Sequence, residues 1–472
     1  MPEPEDEGRG RPMTSSSPVI VDAAPEFDAA ADPGFPIIGG SMRPRRFGAA
    51  LTGIVASGLA FRVGYVLLVT RHQNGKFYDS FWYGVTANEL KQGQFFRAPF
   101  SSVPTAAHPP LTSLLLGSVN FVVGLHAGTT VQRLTMAVLG AAVVLCVGLL
   151  GRAVAGPWVG LTAAGLAAFA PNFWIPSGIV MSETPAMLFM ALILLAVVRL
   201  WRSPTLVSAA LLGVACAGEA LVRAELILFV PSLLVPAALA VTRLPLRRRL
   251  RLLGIGLLAT ALVLAPWVGR NLAAFEDATY ISTGEGIALL GANCPQTYRG
   301  AYLGSWTLTC ATSGSSSVDE SVQSSRDQHA ALQYAERHAS RLPVVVAARI
   351  GRLWDFYQPI QMADGDVNEG RPVPASLAGL WVYYALLPLG VAGLAILRRR
   401  RIRQWHLLVP AGVVTLVSAL VFGQVRFRAP FEVCLVVLAA PALVLLASGL
   451  AGRIGRLRPS ALPDGEPDAS RR

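Results

Sequence analysis

The chain has 472 residues, of which 53% are hydrophobic and only 14% charged, and its mean hydropathy is +0.51. These values argue against a soluble multidomain enzyme and are typical of a polytopic membrane protein. The net charge of +12 comes from arginines bunched beside apolar runs, a pattern that indicates membrane topology and not nucleic-acid binding.

The first 46 residues contain many prolines, early acidic residues and a serine run, and they lack the pattern of a signal peptide. We predict a disordered cytoplasmic tail there. Clear apolar segments follow, of which 157–171 is short for a full crossing; they lie at 47–70, 132–151, 157–171, 184–201, 205–222, 225–243, 251–268, 377–397, 405–421 and 429–449. The fold class predicted from this pattern is an all-α polytopic membrane protein with a bundle of about 10–12 transmembrane helices.

Residues 111–123 form a further apolar segment that is short for a full crossing. If every arginine bunch is cytoplasmic, counting this segment as a crossing breaks the parity of the topology. Two solutions remain open. Either 111–123 is a half-span or re-entrant helix, or it crosses fully and residues 132–171 make one net crossing. Both place the polar segments around Asp79, Glu183, Arg223 and Arg426 on the outer side.

Residues 271–376 form the one long polar stretch between apolar segments. Within it we predict a helix at 324–340 and an amphipathic helix at 344–356, lying in the membrane interface with Arg349 and Arg352 among apolar residues. Cys294 and Cys310 fall in this stretch, so a disulfide is expected if the stretch is extracytoplasmic.

Asp79 begins a helical run in the first outer loop, beside the aromatic residues Tyr78, Trp82 and Tyr83. An aspartate at this position is also a normal helix N-cap, so the carboxylate alone decides nothing. Aromatic rings at a membrane surface, however, offer flat amphipathic faces that suit a sugar. We therefore predict Asp79 as catalytic and the three aromatic residues as substrate-binding.

Several other polar residues lie at the outer ends of apolar segments. His108 precedes two prolines and is a candidate phosphate ligand, although it also fits a helix cap. Glu183 opens a span, where it fits either the helix dipole or function. Arg223 and Glu225 are candidate substrate-binding residues, and Glu219 is expected to pair structurally with them.

Arginines on the outer face run against the positive-inside bias, which gives a reason to assign them a task. The guanidinium fork matches phosphate oxygens, so Arg270, Arg426 and Arg428 are candidate ligands of a lipid phosphate, with Asn271 as a substrate contact. Snorkelling to lipid headgroups is the alternative for each arginine. The sequence has no metal-binding signature and no nucleotide-binding glycine motif, so we expect no cofactor; a divalent metal is left open without support.

In this order the motifs resemble the polytopic GT-C glycosyltransferases that use polyprenyl-phosphate sugars, and especially the bacterial relatives of protein O-mannosyltransferases and lipid A aminoarabinose transferases. The matching motifs span residues 47–450 and are Asp79, His108 to Leu111, Ser182-Glu183, Arg223, Pro266-Trp267 with Arg270-Asn271, and Arg426-Phe427-Arg428. One departure is Asp79-Ser80, where many relatives have an acidic pair, and this departure weakens any case for a metal.

The resemblance implies a GT-C-like bundle in the cell (plasma) membrane with an extracytoplasmic active site. Asp79 would be the catalytic base, Glu183 would orient it or the acceptor, and arginines would hold the donor phosphate. The partners implied are the bilayer, a polyprenyl-phosphate sugar and a glycan, lipid or protein acceptor, with no nucleic acid. The implied organisation is a tail (1–46), a transmembrane catalytic module (47–270, with an outer loop at 71–110), an extracytoplasmic loop (271–376), C-terminal transmembrane helices (377–450) and a cytoplasmic tail (451–472).

Two other functions fit the same composition. A transporter or flippase for lipid-linked sugars would show internal repeats and broken helices near the membrane midplane, and we find no convincing repeat. A non-catalytic assembly factor of the cell envelope would not need Asp79.

Overall fold

The computed structural model describes residues 37–457, with gaps at 74–77, 91, 100, 102, 124–127 and 312–318. Most of the two predicted tails lies outside the described residues. At both ends the helices pass the predicted boundaries: the first helix begins at Pro44, and the last one continues to Leu457.

The part of the chain before the long polar stretch is helical, and most of its helices coincide with the predicted apolar segments. They are α1 (Pro44–Tyr65, continued by a π-helical turn at Val66–Thr70), α2 (Tyr78–Leu90), α3 (Leu111–Val123), α4 (Thr129–Ala155), α5 (Pro157–Phe169), α6 (Pro171–Trp174), α7 (Glu183–Arg202), α8 (Leu206–Val222), α9 (Val235–Leu239) and α10 (Leu246–Ala274).

The polar stretch and the C-terminal part are helical as well. Their helices are α11 (Gly284–Ala292), α12 (Pro295–Tyr298), α13 (Leu308–Ala311), α14 (Glu320–Arg337), α15 (Leu342–Leu353), α16 (Pro359–Gly365), α17 (Val373–Arg399), α18 (Val409–Leu420) and α19 (Ala429–Leu457). In the described residues, β pairing is confined to an isolated bridge between Arg97 and Pro104. The all-α fold class is confirmed.

Six described helices are long and apolar enough to cross a membrane, or seven if the bent pair Pro157–Phe169 and Pro171–Gly178 makes one span. Shorter apolar helices lie at Leu206–Val222, Ala224–Leu239 and Trp405–Leu420. The protein is therefore a multi-pass membrane protein. Helix α3 has 13 residues and is about 20 Å long, less than the roughly 30 Å of a bilayer core, which fits the predicted half-span.

Helices α4 and α5 form a tight hairpin that turns at Gly156, whose φ of 106° favours glycine. Within the hairpin, a Cβ atom on Gly160 would lie 2.5 Å from the carbonyl oxygen of Gly148, so only glycine permits this approach. Close backbone contact between small residues is a usual way to pack helices in a membrane. Residues 132–171 are thus two packed helices.

Arg62 of α1 is fully buried and binds carbonyl groups at the end of α5. Pro171 prevents α5 from continuing, which leaves carbonyl groups without helical partners. The Arg62 guanidinium donates hydrogen bonds to the carbonyls of Ala167 (2.8 Å) and Ala168 (2.9 Å). A buried cation and unpaired carbonyls, each costly alone, therefore satisfy one another.

The polar stretch contains the expected disulfide, which joins Cys294 and Cys310 with their Cα atoms 6.3 Å apart. Its two predicted helices are α14 and α15, and the two arginines predicted to lie at the membrane interface are buried within the protein. Arg349 and Arg352 are buried and donate to backbone carbonyls, including those of Ala292 (2.9 Å) and Leu303 (2.7 Å). The basic face of α15 thus holds the polar stretch together and does not face lipid headgroups.

Candidate active site

Asp79 lies in the first turn of α2, where a carboxylate is favoured by the helix dipole. Its side chain keeps 28% of its surface exposed. One carboxylate oxygen contacts Nη1 of Arg426 at 2.6 Å, and the other lies 3.8 Å from Nε2 of His108. Three predicted site residues from distant parts of the sequence therefore meet at one point.

Arg426 reaches Asp79 because the chain turns sharply between α18 and α19. Helix α18 ends at Leu420, and the amide of Gly423 then donates to the carbonyl of Gly304 at 2.9 Å. A 3₁₀ turn at Val425–Arg428 follows and directs the Arg426 side chain to the mouth of the bundle. The turn that carries Arg426 is thus fixed by contact with the polar stretch.

Charged residues continue beyond Arg426 in an alternating chain. Glu369 lies 3.7 Å from Arg426 and 3.3 Å from Arg371, and Arg371 contacts Glu183 at 3.0 Å. We call Asp79, Arg426, Glu369, Arg371 and Glu183 the charge chain. It joins four separate segments of the sequence, and its alternation allows each buried charge to have a partner.

Glu369 and Arg371 were not predicted as site residues. They lie just before the span Val373–Arg399, and Gly370 between them has a φ of 84°, which turns both side chains toward the site. The sequence did carry a signal for them, because these charges stand at the predicted outer end of an apolar segment, as Glu183 does. The sequence prediction missed both residues because the family-like motifs that it used contain none between Asn271 and Arg426.

Burial and neighbouring charges act in opposite directions on the Asp79 carboxyl group. Burial raises its pKa, but the positive charge of Arg426, helped by that of Arg223, lowers the pKa to about 2. Asp79 is therefore ionised throughout the neutral range. Burial raises the pKa of Glu369 despite Arg426 and Arg371, and Arg371 has a raised pKa because nearby carboxylates outweigh its burial.

His108 packs against the aromatic residues of α2. Its ring lies 4.8 Å from the ring of Tyr83 and 6.2 Å from that of Trp82, measured between centroids. Burial lowers the pKa of His108 although Asp79 acts to raise it, so the imidazole is neutral near pH 7. A neutral imidazole can still donate one hydrogen bond to a phosphate oxygen.

The aromatic residues predicted to bind substrate differ in how far they are exposed to solvent. Trp82 is half-buried, whereas Tyr83 is 4% exposed and acts as a support for His108. The ring of Tyr83 is therefore too buried to stack on a substrate, contrary to the prediction. The side chain of Tyr78 lies outside the described residues.

Arg223 is the second cation near Asp79. It contacts Glu225 at 2.8 Å and lies over the ring of Phe427 at 4.7 Å. Its charge acts on both Asp79 and His108. The expected pairing of Glu219 is wrong, because in the described structure both of its carboxylate oxygens are buried without a hydrogen-bond partner.

Arg270 and Asn271 are engaged by protein groups. The Arg270 guanidinium donates to the carbonyls of Phe96 (2.7 Å) and Thr105 (2.9 Å), so it fastens the outer loop to the end of α10. The side chain of Asn271 is fully buried and donates to the carbonyl of Tyr280 at 3.3 Å. Both therefore position loops, and the buried Asn271 is not open to substrate.

Arg428 belongs to a separate buried cluster. It is 1% exposed and contacts Asp355 at 3.0 Å and Glu432 at 2.8 Å, with Tyr383 beneath its guanidinium at 3.5 Å. Two carboxylates and an aromatic ring already balance and cover this guanidinium, and its Nη2 is buried without a hydrogen-bond partner in the described structure. Arg428 is therefore not placed to bind the donor phosphate, contrary to the prediction. Arg426 is the arginine of this motif that contacts Asp79.

Among the residues that the structure describes, no group of three His, Cys, Asp or Glu side chains is close enough to hold a metal ion. The site thus offers one ionised carboxylate at the mouth, a neutral histidine and two arginines, Arg223 and Arg426. This arrangement can accept a proton at Asp79 and stabilise a phosphate beside it.

The chain is similar to known proteins in sequence and in fold. Residues 107–268 match the family model described as dolichyl-phosphate-mannose-protein mannosyltransferase, and no curated protein matches the chain in sequence. Among solved structures, the archaeal oligosaccharyltransferase AglB from Archaeoglobus fulgidus, in complex with an inhibitory peptide and a dolichol-phosphate, is similar at a TM-score of 0.54 and 16% identity. That match covers 89% of this chain and 53% of AglB, so the chain spans about half the length of the oligosaccharyltransferase.

Two further solved structures match at lower TM-scores. The protein O-mannosyltransferase complex of S. cerevisiae, bound to the sugar donor, matches at a TM-score of 0.38 and 16% identity over 58% of this chain and 41% of that one. ArnT from Cupriavidus metallidurans, bound to undecaprenyl phosphate, matches at 0.37 and 16% identity over 89% and 82%. The predicted resemblance to GT-C glycosyltransferases is confirmed: the chain has the GT-C fold, and about a third of it matches the mannosyltransferase family model.

Proposed function

We propose that this GT-C protein is a membrane glycosyltransferase that transfers a sugar from a polyprenyl-phosphate donor to a hydroxyl acceptor on the extracytoplasmic face of the plasma membrane, with inversion at the anomeric carbon. The observation that carries the proposal is the contact between Asp79 and Arg426, which are 347 residues apart in sequence. A potential base and a potential phosphate ligand meet at the mouth of an apolar bundle, where the phosphate of a membrane lipid lies.

The reaction needs a single base. The acceptor oxygen attacks the anomeric carbon and forms the new glycosidic bond, while the bond from that carbon to the phosphate oxygen breaks and its electron pair leaves with the prenyl phosphate. Asp79 takes the proton of the acceptor hydroxyl. A phosphate is a competent leaving group without protonation, so the second carboxylate that a glycosidase requires is not needed.

Arg426 couples donor binding to the strength of this base. In the structure its Nη1 is held by Asp79, whereas its Nε is buried without a hydrogen-bond partner in the described structure. A donor phosphate would bind this guanidinium and compete with Asp79 for it. Because Arg426 is what holds the pKa of Asp79 down, such competition would raise that pKa and make Asp79 a better base.

Arg223 and His108 complete the proposed phosphate site. Three carboxylates and two arginines form the charge chain, so a phosphate needs a cation from outside it. Arg223 can supply this cation. The charge of Arg223 already acts on Asp79, and its carboxylate partner, Glu225, is 32% exposed. The proposal assigns charge stabilisation at the phosphate to these arginines and needs no metal.

In the proposed mechanism Glu183 does not contact Asp79 directly. It is 1% exposed and reaches Asp79 only through Arg371, Glu369 and Arg426. We assign it to positioning the charge chain.

Cells that lack the protein test this function. We expect the polyprenyl-phosphate sugar to accumulate, and a plasmid with the wild-type chain to remove it while Asp79→Asn does not. Lipid extraction and mass spectrometry would identify the sugar. The accumulated lipid should be open to a membrane-impermeant oxidant, because the donor would already be on the outer leaflet.

The flippase alternative predicts a different result. Loss of a flippase would leave the lipid-linked sugar on the inner leaflet, protected from the oxidant. Unchanged levels of every polyprenyl-phosphate sugar in the deletion strain would contradict both functions.

The sidedness of the site gives a separate prediction. In a variant with Cys146→Ala, single cysteines at Gln94 and Asp364 should react with an impermeant maleimide in intact cells, since both positions are exposed near the proposed mouth. A cysteine at Arg247, beside a predicted cytoplasmic arginine bunch, should react only after permeabilisation. Labelling of the first two positions from opposite sides would contradict a shared outer pocket.

A further inference from the structure

A cleft of about 200 Å³ lies between the chain that follows α10 and helix α14. The cleft is lined by polar side chains and by few apolar ones; its lining is Ala224, Ile227, residues 277–283, Glu285, Ser321, Ser324, Ser325 and Gln328. The charge chain contributes nothing to it. The proposed chemistry at Asp79 therefore leaves this cleft unused.

Both walls of the cleft are joined to the segments that carry the proposed reaction. On one side, Ser282 donates to the carbonyl of Ala107 at 3.1 Å and the amide of Thr283 donates to the carbonyl of Ala106 at 3.0 Å. Ala107 immediately precedes His108. On the other side, Ala224 and Ile227 flank Glu225, the partner of Arg223. A molecule in the cleft would thus lie next to the phosphate site.

The chemistry of the lining points to a carbohydrate. The serine and threonine hydroxyls of the lining donate to protein groups, for example Ser325 to Asp277 at 2.7 Å and Ser324 to the carbonyl of Thr283 at 2.7 Å. Their oxygens, together with the Gln328 amide and the Asp277 and Glu285 carboxylates, can accept hydrogen bonds from a ring that carries several hydroxyls. Tyr280 is 64% exposed and lines the cleft. An aromatic face of this kind packs against the C–H groups of a sugar.

A polypeptide fits the cleft less well. Extended peptides are often bound by adding a strand to the edge of a sheet, and the described walls here are turns and the helix α14. We therefore propose that this cleft binds a sugar residue of a glycan acceptor and presents a neighbouring hydroxyl to Asp79. This inference rests on the proposed glycosyltransferase function and adds the class of the acceptor.

The test uses the full chain in native membranes that contain its own acceptor, with polyprenyl-phosphate-linked radiolabelled hexose and pentose as donors. Tyr280→Ala is expected to raise the apparent KM for the acceptor about tenfold, the scale of about 1.4 kcal/mol of lost binding, with kcat changed by less than about twofold. Tyr280→Phe keeps the ring and should stay within about twofold of wild type. Tyr302 is 55% exposed and lies outside the cleft, so Tyr302→Ala is the matched control and should have no effect.

The labelled product identifies the acceptor class. We expect the label in material that resists proteases and that acid or glycosidase treatment releases as oligosaccharide. Label released as glycopeptide, or a Tyr280→Ala variant with the wild-type KM, would overturn this inference while leaving the transferase intact. Absence of any transfer that depends on Asp79 would instead overturn the proposed function, and the inference with it.

Discussion

Replacing Asp79 by asparagine is expected to reduce sugar transfer by about 10²–10⁴-fold, the usual contribution of a general base. The amide has nearly the shape of the carboxylate but cannot take the proton of the acceptor hydroxyl. It also removes the negative partner of Arg426. The measurement is kcat for transfer from a polyprenyl-phosphate sugar in membranes.

The variant should remain folded, because Asp79 is partly exposed and its loss leaves no large cavity. Asp364→Asn is the matched control: it removes an exposed carboxylate from the short helix α16 and should keep wild-type activity. Equal amounts of both variants in the membrane, with similar melting temperatures in detergent, would establish that chemistry and not folding is affected. More than a tenth of wild-type transfer by Asp79→Asn would remove Asp79 from the mechanism.

Replacing Arg426 by glutamine is expected to lower kcat/KM for the donor by about 10²–10³-fold, the cost of removing one group that stabilises developing charge. The loss has two parts. The donor phosphate loses a ligand, and Glu369 is left close to Asp79 with only Arg371 to balance it. Kinetics at several donor concentrations would measure the effect.

Arg426→Lys should restore little of the activity. A lysine ammonium is a single compact donor group, whereas Arg426 contacts both Asp79 and Glu369 through Nη1 and keeps its other nitrogens for a donor phosphate. Arg299→Gln removes an exposed arginine far from the charge chain in sequence and serves as the control, with unchanged kinetics expected. Wild-type activity of Arg426→Lys would show that the fork geometry is not needed.

Much of the fold could be predicted because apolar length and arginine position are direct consequences of the bilayer. The helices differ from the predicted segments mainly at their ends, where charged residues such as Arg398 and Arg399 extend α17 beyond its apolar part. What the sequence could not show is the close packing of polar groups. The arginines of α15 look suited to lipid headgroups in sequence, yet unpaired carbonyls elsewhere in the chain bind them.

The candidate site was partly predictable for the same reason. Charges at the outer ends of spans are costly unless used or paired, and this rule found Asp79, Glu183, Arg223 and Arg426. The rule does not distinguish a charge that binds a ligand from a charge that is paired within the protein. Arg270 and Arg428 obey it equally well, but backbone carbonyls satisfy the first and carboxylates the second. Only three-dimensional neighbours separate these cases.

The most direct test of the account is a reaction with the purified chain in liposomes, given a polyprenyl-phosphate sugar labelled in the sugar and a membrane extract as acceptor. The account predicts that label moves to the acceptor with release of one polyprenyl phosphate for each sugar transferred, and that the new linkage has the anomeric configuration opposite to that of the donor. The Asp79→Asn protein should release neither product. Equal turnover by wild type and Asp79→Asn, or a labelled donor that only changes leaflet, would contradict it.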